Sequence, residues 1–143
     1  MDASNRYDPG VPGAYVVLLL DVVSRWGISE QTLLQPFDLR REQLADPSSR
    51  LSAQVVNEIL QRAHLLTGEA SLAYHLGAQM RISTHGFIGF AIMTASNVGA
   101  ALMLASRFIT IRMPYCRFMA NIKDTYGELA LDCDLHLEPL RSE

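Results

Sequence analysis

The stretch that decides the fold runs from Ser83 to Phe108 and reads "STHGFIGFAIMTASNVGAALMLASRF". Apart from one histidine, the 25 residues from Ile82 to Ser106 carry no ionisable side chain. About 20 apolar residues suffice to cross the hydrocarbon layer of a membrane, so length alone allows a membrane span. The core of a soluble domain and the wall of a ligand site are the other two interpretations.

Helix-capping residues within this stretch favour two short buried helices over one long span. Asn97 is a good cap, so a helix is expected over Val98–Phe108, and another is expected before it, over His85–Ala95. Gly86 and Gly89 lie near the start of the earlier helix, where the missing side chains would let another backbone approach closely. The sequence therefore predicts a soluble core and no membrane segment.

The composition is that of one globular domain covering residues 1–143. The chain is 49% hydrophobic, enough for a real core. Its 12 basic and 15 acidic residues give a net charge of −3, and the basic residues are scattered, so non-specific nucleic-acid binding is not expected. The first ten residues are polar and show no signal peptide, which predicts a cytoplasmic location.

Helical periodicity extends upstream of the quoted stretch as far as Ala14. In the first of these helices, Asp21 and Arg25 have the spacing of an i,i+4 ion pair. Ser29 and Ser52 stand where each would cap a further helix. The sequence thus predicts a multi-helix bundle in the amino-terminal part of the chain.

Downstream the pattern changes to strict alternation. Residues 115–137, "YCRFMANIKDTYGELALDCDLHL", predict an antiparallel β-hairpin with "DTYG" at the turn. Pairing Lys123 with Glu128 puts the apolar partners on one face: Ile122 opposite Leu129, Ala120 opposite Leu131, Phe118 opposite Cys133 and Cys116 opposite Leu135. A lone hairpin is marginal in water, so a larger sheet is expected, and with it a longer protein of which this chain is a fragment. The predicted fold class is α+β.

No motif in the chain indicates catalysis or metal binding. A phosphate-binding glycine loop, HExxH, GxSxG and CxxC are all absent. The four histidines fall in four different predicted elements, and the two cysteines lack metal-type spacing. The sequence therefore predicts no enzyme, no metal and no cofactor.

Five residues are candidates for ligand binding. Phe87, Phe90 and Met103 belong to the charge-poor stretch, where they are either core residues or the wall of an apolar cavity. Arg112 and Tyr115 stand where helix gives way to strand, and there a cation and a phenol would fix an acidic or amino-acid-like ligand.

Two motifs resemble a known family. "LTGEASLAYHLGAQM" and "HGFIGFAIMTASNVGAAL", followed by Arg107, look like the amino-terminal, arabinose-binding-type domain of AraC-type bacterial transcription regulators. The resemblance is best over residues 50–112. Family members commonly have a Thr and Glu capping box where this chain has Asn97 and Ala100, but Asn caps well alone, so the expected fold is unaffected.

The resemblance implies a regulatory domain whose small-molecule effector, an amino-acid-like compound or another metabolite, shifts competence for DNA binding or dimerisation. It also implies a helix-turn-helix domain beyond the carboxyl terminus, through which alone the protein would contact DNA. The alternative is a protein-interaction module that forms a homodimer and senses no ligand.

Overall fold

The structure is a computed structural model that describes residues 10–112 and 116–133. The chain divides between Met80 and Arg81 into two compact units, called here the amino-terminal unit and the carboxyl-terminal unit. The helices are α1 (Gly13–Val23), α2 (Glu30–Leu34), α3 (Arg41–Ala45), α4 (Ala53–Thr67), α5 (Leu72–Gln79), α6 (Phe87–Met93) and α7 (Val98–Phe108). The strands β1 (Val11–Pro12) and β2 (Arg50–Leu51) pair with each other, as do β3 (Cys116–Ile122) and β4 (Gly127–Cys133). The predicted α+β class is confirmed.

α1 is the central element of the amino-terminal unit. Its sequence, GAYVVLLLDVV, is apolar on nearly every side, and such a helix is stable only when neighbouring elements cover it. Helices α3, α4 and α5 all contact it. The core of this unit consists of Val16, Leu19, Leu20, Val22, Val23, Leu33, Leu34, Leu44, Ile59, Ala63 and Leu72. Because burying a leucine or valine stabilises by about 1.5–3 kcal/mol, this unit has a substantial core of its own.

The predicted helix caps are confirmed. The Oγ atom of Ser29 accepts a hydrogen bond from the backbone N–H of Thr32 at 3.1 Å. In the same way, Ser52 Oγ accepts from the N–H of Val55 at 3.2 Å. Each bond satisfies one backbone donor that the first turn of a helix leaves unpaired, so α2 and α4 begin where their caps predict.

Asp21 pairs with Arg41 rather than with Arg25. The Nη2 atom of Arg41 lies 2.6 Å from Oδ1 of Asp21, and its Nε lies 2.5 Å from Oε1 of Glu30. The predicted pair of Asp21 with Arg25 was therefore wrong, because a guanidinium has several donors and α3 brings that of Arg41 between two carboxylates. This network ties α1, α2 and α3 together, although exposed ion pairs contribute only about 0–1 kcal/mol each.

The carboxyl-terminal unit begins with a 3₁₀ turn over Ile82–His85, on which α6 packs. Gly89 makes this contact possible, since a Cβ atom there would overlap the carbonyl oxygen of Ile82. The predicted close backbone approach is thus confirmed at Gly89 and wrong at Gly86, where the neighbour is the side chain of Arg112. The helix predicted from His85 instead begins at Phe87, because Gly86 adopts φ 64° and ψ −139° and separates the turn from the helix.

α7 has the predicted bounds, Val98–Phe108. The Oδ1 atom of Asn97 accepts a hydrogen bond from the N–H of Ala100 at 2.8 Å, as expected of a cap. α7 contacts both α6 and β3, and a second 3₁₀ turn, Ile109–Ile111, follows it. The charge-poor stretch is therefore two helices joined by a short connection.

β3 and β4 form the predicted hairpin, but in a different register. The observed partners are Cys116 with Cys133, Phe118 with Leu131, Ala120 with Leu129 and Ile122 with Gly127. The predicted pairing of Lys123 with Glu128 was wrong because the turn is tighter. The N–H of Lys123 donates to the carbonyl oxygen of Tyr126 at 2.8 Å, and its ammonium donates to the Tyr126 hydroxyl at 2.8 Å, which leaves Asp124 and Thr125 as the loop. The shift is two residues, so each side chain keeps its predicted face.

We expect Gly89→Ala to destabilise the protein by about 2 kcal/mol or more, since the added methyl group forces α6 away from the backbone of Ile82. Gly77→Ala is the matched control, because a Cβ atom at Gly77 in α5 meets no atom within 4 Å. It should stabilise by about 0.5–1 kcal/mol. Urea unfolding followed by circular dichroism measures both, and equal stability of the two variants would contradict the packing described here.

Candidate ligand site

α6, α7 and the 3₁₀ turn that follows them line an apolar cavity of about 210 Å³, partly open to solvent, in the carboxyl-terminal unit. Seven apolar side chains line it: Phe87, Ile88, Ala91, Ile92, Leu104, Phe108 and Ile111. A dry cavity of about 150 Å³ with a lining of this kind is large enough to bind benzene. The cavity in this unit therefore has room for an aromatic ring with a short chain attached.

Helical spacing explains why these side chains face one another. In α6, the lining residues Phe87 and Ile88 are followed four residues later by the lining residues Ala91 and Ile92. In α7, the lining residue Leu104 is followed four residues later by Phe108. Residues four apart lie on the same side of a helix, so each helix presents one apolar face to the cavity. The cap at Asn97 sets where the face of α7 begins.

Large apolar side chains around this cavity remain open to solvent. Phe87 exposes 87% of its surface, Phe90 57% and Met103 55%. Exposed apolar surface on this scale commonly marks a site of ligand or protein contact. α6 and α7 thus carry apolar surface that the described residues do not cover.

Arg112 places a cation beside the cavity. It directly follows the lining residue Ile111, and its guanidinium lies against Gly86, which directly precedes the lining residue Phe87. A Cβ atom at Gly86 would lie 3.4 Å from Nη2 of Arg112 and 3.6 Å from Cζ. These are ordinary van der Waals distances, so glycine suits this position because its backbone dihedrals lie in a region that other residues seldom adopt.

The Nε atom of Arg112 is buried and has no hydrogen-bond partner among the described residues. Buried donors are nearly always satisfied, and leaving one unsatisfied costs about 1–3 kcal/mol. Within residues 10–112 and 116–133, no salt bridge includes Arg112. A hydrogen-bond acceptor supplied by a ligand would remove that cost.

His85 contributes no positive charge to this site at neutral pH. Burial lowers the pKa of its imidazole below the usual value of 6.5, and the nearby charge of Arg112 lowers it further. The imidazole is therefore neutral at pH 7, and Arg112 is the cation beside it.

The charges along these elements have one sign. Residues 81–112 contain three arginines and no aspartate or glutamate, although the whole chain has a net charge of −3. One of the three, Arg107, lies over the ring of the lining residue Phe108, with Cζ 5.6 Å from the ring centroid. This distribution favours a negatively charged ligand over a positively charged one.

The structure brings together two of the five predicted ligand-binding residues. Phe87 lines the cavity and Arg112 lies beside it. Phe90 and Met103 belong to the same two helices but are not among the lining residues. Tyr115 lies outside the described residues. Ligand contact by these five residues stays a prediction.

Sequence reasoning left six lining residues out of its five candidates, namely the aromatic Phe108 and the smaller Ile88, Ala91, Ile92, Leu104 and Ile111. It favoured the largest side chains, whereas a cavity forms where side chains are too small to fill the space. Helical spacing would have found part of the set, because Ala91 lies four residues after Phe87 and Leu104 lies four before Phe108.

A second, polar groove of about 370 Å³ lies in the amino-terminal unit. Its lining residues are Glu30, Gln31, Leu34, Gln35, Asp38, Leu39, Arg40, Arg41 and Glu42. The guanidinium of Arg41 already binds Asp21 and Glu30, so this cation is engaged. The apolar cavity with Arg112 beside it is therefore the stronger candidate site.

No group of three or more His, Cys, Asp or Glu side chains in the described part of the chain is arranged to hold a metal ion. Over the same residues, no helix combines the length and the apolar character needed to span a membrane. The charge-poor stretch from Ser83 to Phe108 is instead divided between α6 and α7.

Comparison with known proteins defines the class to which this chain belongs. A family model described as the N-terminal arabinose-binding domain of AraC transcription regulators matches residues 27–142, which is more than half of the chain. The chain therefore belongs to this family of regulatory domains, as its motifs predicted.

One curated relative is a longer protein than this chain. An ornithine utilization regulator of Pseudomonas aeruginosa is 36% identical to this chain over 101 residues. The aligned part makes up 71% of this chain and 30% of the relative. The chain thus spans about a third of the length of the relative that it matches.

We expect His85 to make the folded state less stable as the pH falls. Its pKa is lower in the folded chain than in the unfolded one, so the unfolded state takes up the proton first. The contribution of neutral His85 to the free energy of unfolding is fully present above about pH 6.5, which is its pKa in the unfolded chain. It is lost as the pH drops through the pKa of the folded chain. When the pH is lowered from about 7.5 to about 5, the Tm of the His85→Gln variant should therefore fall by less than the Tm of the wild type. Equal losses in the two proteins would show that His85 does not titrate in this environment.

Proposed function

We propose that this chain is the effector-sensing domain of an AraC-type transcription regulator, and that its effector is a small molecule bound in the apolar cavity of the carboxyl-terminal unit. The observation that carries the proposal is a cavity of about 210 Å³, lined only by apolar side chains, in a domain of a regulator family. Binding shifts the population between states that differ in competence for DNA binding or dimerisation.

The elements around the cavity suggest how occupancy is transmitted. α6 contacts the 3₁₀ turn before it, and α7 contacts β3 of the hairpin. A ligand between these two helices changes their spacing, and α7 carries the change to β3. Differential contact with the two arrangements is what allows a ligand to shift the equilibrium between them.

We assign DNA binding to another part of the protein. The chain spans 30% of the regulator that it matches, and its basic residues are scattered along the sequence. A protein that regulates a bacterial promoter acts in the cytoplasm, which is the location that we infer. The family is regulatory, and we propose no catalytic step.

The relative's name refers to ornithine utilization, but ornithine suits this cavity poorly. At neutral pH that amino acid carries two ammonium groups, each of which needs an acceptor when removed from water. Residues 81–112 contain no carboxylate, and the cavity lining is apolar. We therefore do not extend ornithine to this cavity.

Filling the cavity should abolish binding of an uncharged apolar probe. We expect Ala91→Phe, which puts a ring into the space between the helices, to weaken binding of 3-phenyl-1-propanol by about tenfold or more. Isothermal titration calorimetry on the full chain measures the effect.

Val98→Phe is the matched control, because it adds a ring to α7 at a position that is 76% exposed and is not part of the cavity lining. It should bind the probe as the wild type does. If Ala91→Phe binds the probe as tightly as the wild type, the cavity is not the binding site.

A ligand-independent dimerisation module is the second candidate function. The exposed apolar side chains of the carboxyl-terminal unit favour it, among them Phe87, Met119 and Leu131. A stable interface buries about 1,200–2,000 Å² in total, and its centre is rich in aromatic side chains and methionine.

Sedimentation velocity over a range of chain concentrations distinguishes the two functions. An effector-sensing domain should keep one sedimentation coefficient until a ligand is added. A dimerisation module should associate as the concentration rises with no ligand present, and Phe87→Ser should then weaken the association. If the chain dimerises without ligand and its cavity binds no probe, the second function replaces the first.

A further inference from the structure

We propose that the effector is an aryl- or alkyl-substituted monocarboxylic acid without an ammonium group, whose apolar part occupies the cavity and whose carboxylate is held by Arg112. This inference rests on the proposed effector cavity and adds the chemical class of the ligand. The structural basis is the juxtaposition of an apolar cavity and a guanidinium that lies against Gly86.

The carboxylate follows from the unused hydrogen-bonding capacity of Arg112. Its Nε is buried and has no partner within residues 10–112 and 116–133, and the arginine fork presents parallel N–H donors that match the two oxygens of a carboxylate. Hydrogen bonds in which both partners are charged are about twice as strong as neutral ones. A ligand carboxylate that accepts a hydrogen bond from Nε would give this donor the partner that the described residues do not provide.

The absence of an ammonium group in the ligand follows from the local charges. Residues 81–112, the segment that includes the elements around the cavity, contain Arg81, Arg107 and Arg112 and no acidic residue. An α-ammonium group would therefore enter positive surroundings without a carboxylate to bind it, at a cost in desolvation and repulsion. A simple carboxylic acid avoids this cost, whereas an α-amino acid with the same side chain does not.

The apolar part of the ligand follows from the cavity itself. Its volume of about 210 Å³ and its lining of aromatic and aliphatic side chains suit a phenyl ring with two or three carbons attached. Phe87 and Ile111 line the cavity, and Gly86 and Arg112 are their neighbours in the chain, so we place the ring in the cavity and direct the short chain toward the guanidinium.

Three probes with one carbon skeleton test the inference by calorimetry on the full chain. They are 3-phenylpropionate, 3-phenyl-1-propanol and L-phenylalanine, which share the apolar part and differ in the polar end. We expect 3-phenylpropionate to bind about tenfold or more tightly than either of the others, as the gain of a charge-assisted hydrogen bond predicts.

Two variants at Arg112 and one control identify the cation. Arg112→Gln should lower affinity for 3-phenylpropionate about tenfold and leave that for 3-phenyl-1-propanol unchanged. Arg112→Lys keeps the charge without the fork and should fall between Gln and the wild type. Arg117→Gln removes the same charge from an exposed position of β3 and should bind all three probes as the wild type does.

The outcomes separate the inference from the proposed function. If the alcohol or the amino acid binds as tightly as the acid, or if Arg112→Gln and Arg117→Gln behave alike, the carboxylate assignment is wrong while the cavity remains a ligand site. If none of the three probes binds, both the assignment and the effector cavity are overturned.

Discussion

The carboxyl-terminal unit depends on the close approach of Gly89 to the carbonyl oxygen of Ile82. With a hydrogen atom in place of a side chain, α6 can lie directly on the 3₁₀ turn before it. The chain then leaves the turn and enters the helix through Gly86, which has unusual backbone dihedrals. At this position the chain lies next to the guanidinium of Arg112. This backbone contact thus fixes the side of the cavity that α6 forms, and Gly86 at the start of that helix is where the guanidinium lies.

The two units differ in how completely their apolar side chains are buried. In the amino-terminal unit a complete core forms around α1, with large side chains such as Leu19 and Leu33 at 0–1% exposure. In the carboxyl-terminal unit α6 and α7 leave large apolar side chains in contact with solvent. Elements with less buried apolar surface open and rearrange more readily, and sites that respond to ligands are drawn from them. The candidate site lies in the unit with that character.

Local signals predicted much of the fold and little of the site. The caps at Ser29, Ser52 and Asn97 were correct because each interaction spans three residues of one segment. The ion pair of Asp21 was wrong because its true partner is 20 residues away, and β1 was missed because two residues show no periodicity. In the site, residue type pointed to Phe87 and Arg112, whereas small lining residues carry no signal except their spacing from larger ones.

By itself, the sequence determined the α+β class, the family, the start of each capped helix and which face of the hairpin each side chain takes. These features depend on residue type and on contacts within a few positions along the chain. Only the tertiary structure decided the hairpin register, the partner of Arg41 and the meeting of Gly86 with Arg112. The physical reason is that Arg41 and Gly86 meet partners distant in sequence, and those meetings depend on backbone positions that the whole unit sets. For the hairpin, two registers that differ by two residues give every side chain the same face, so the alternating pattern alone does not choose between them.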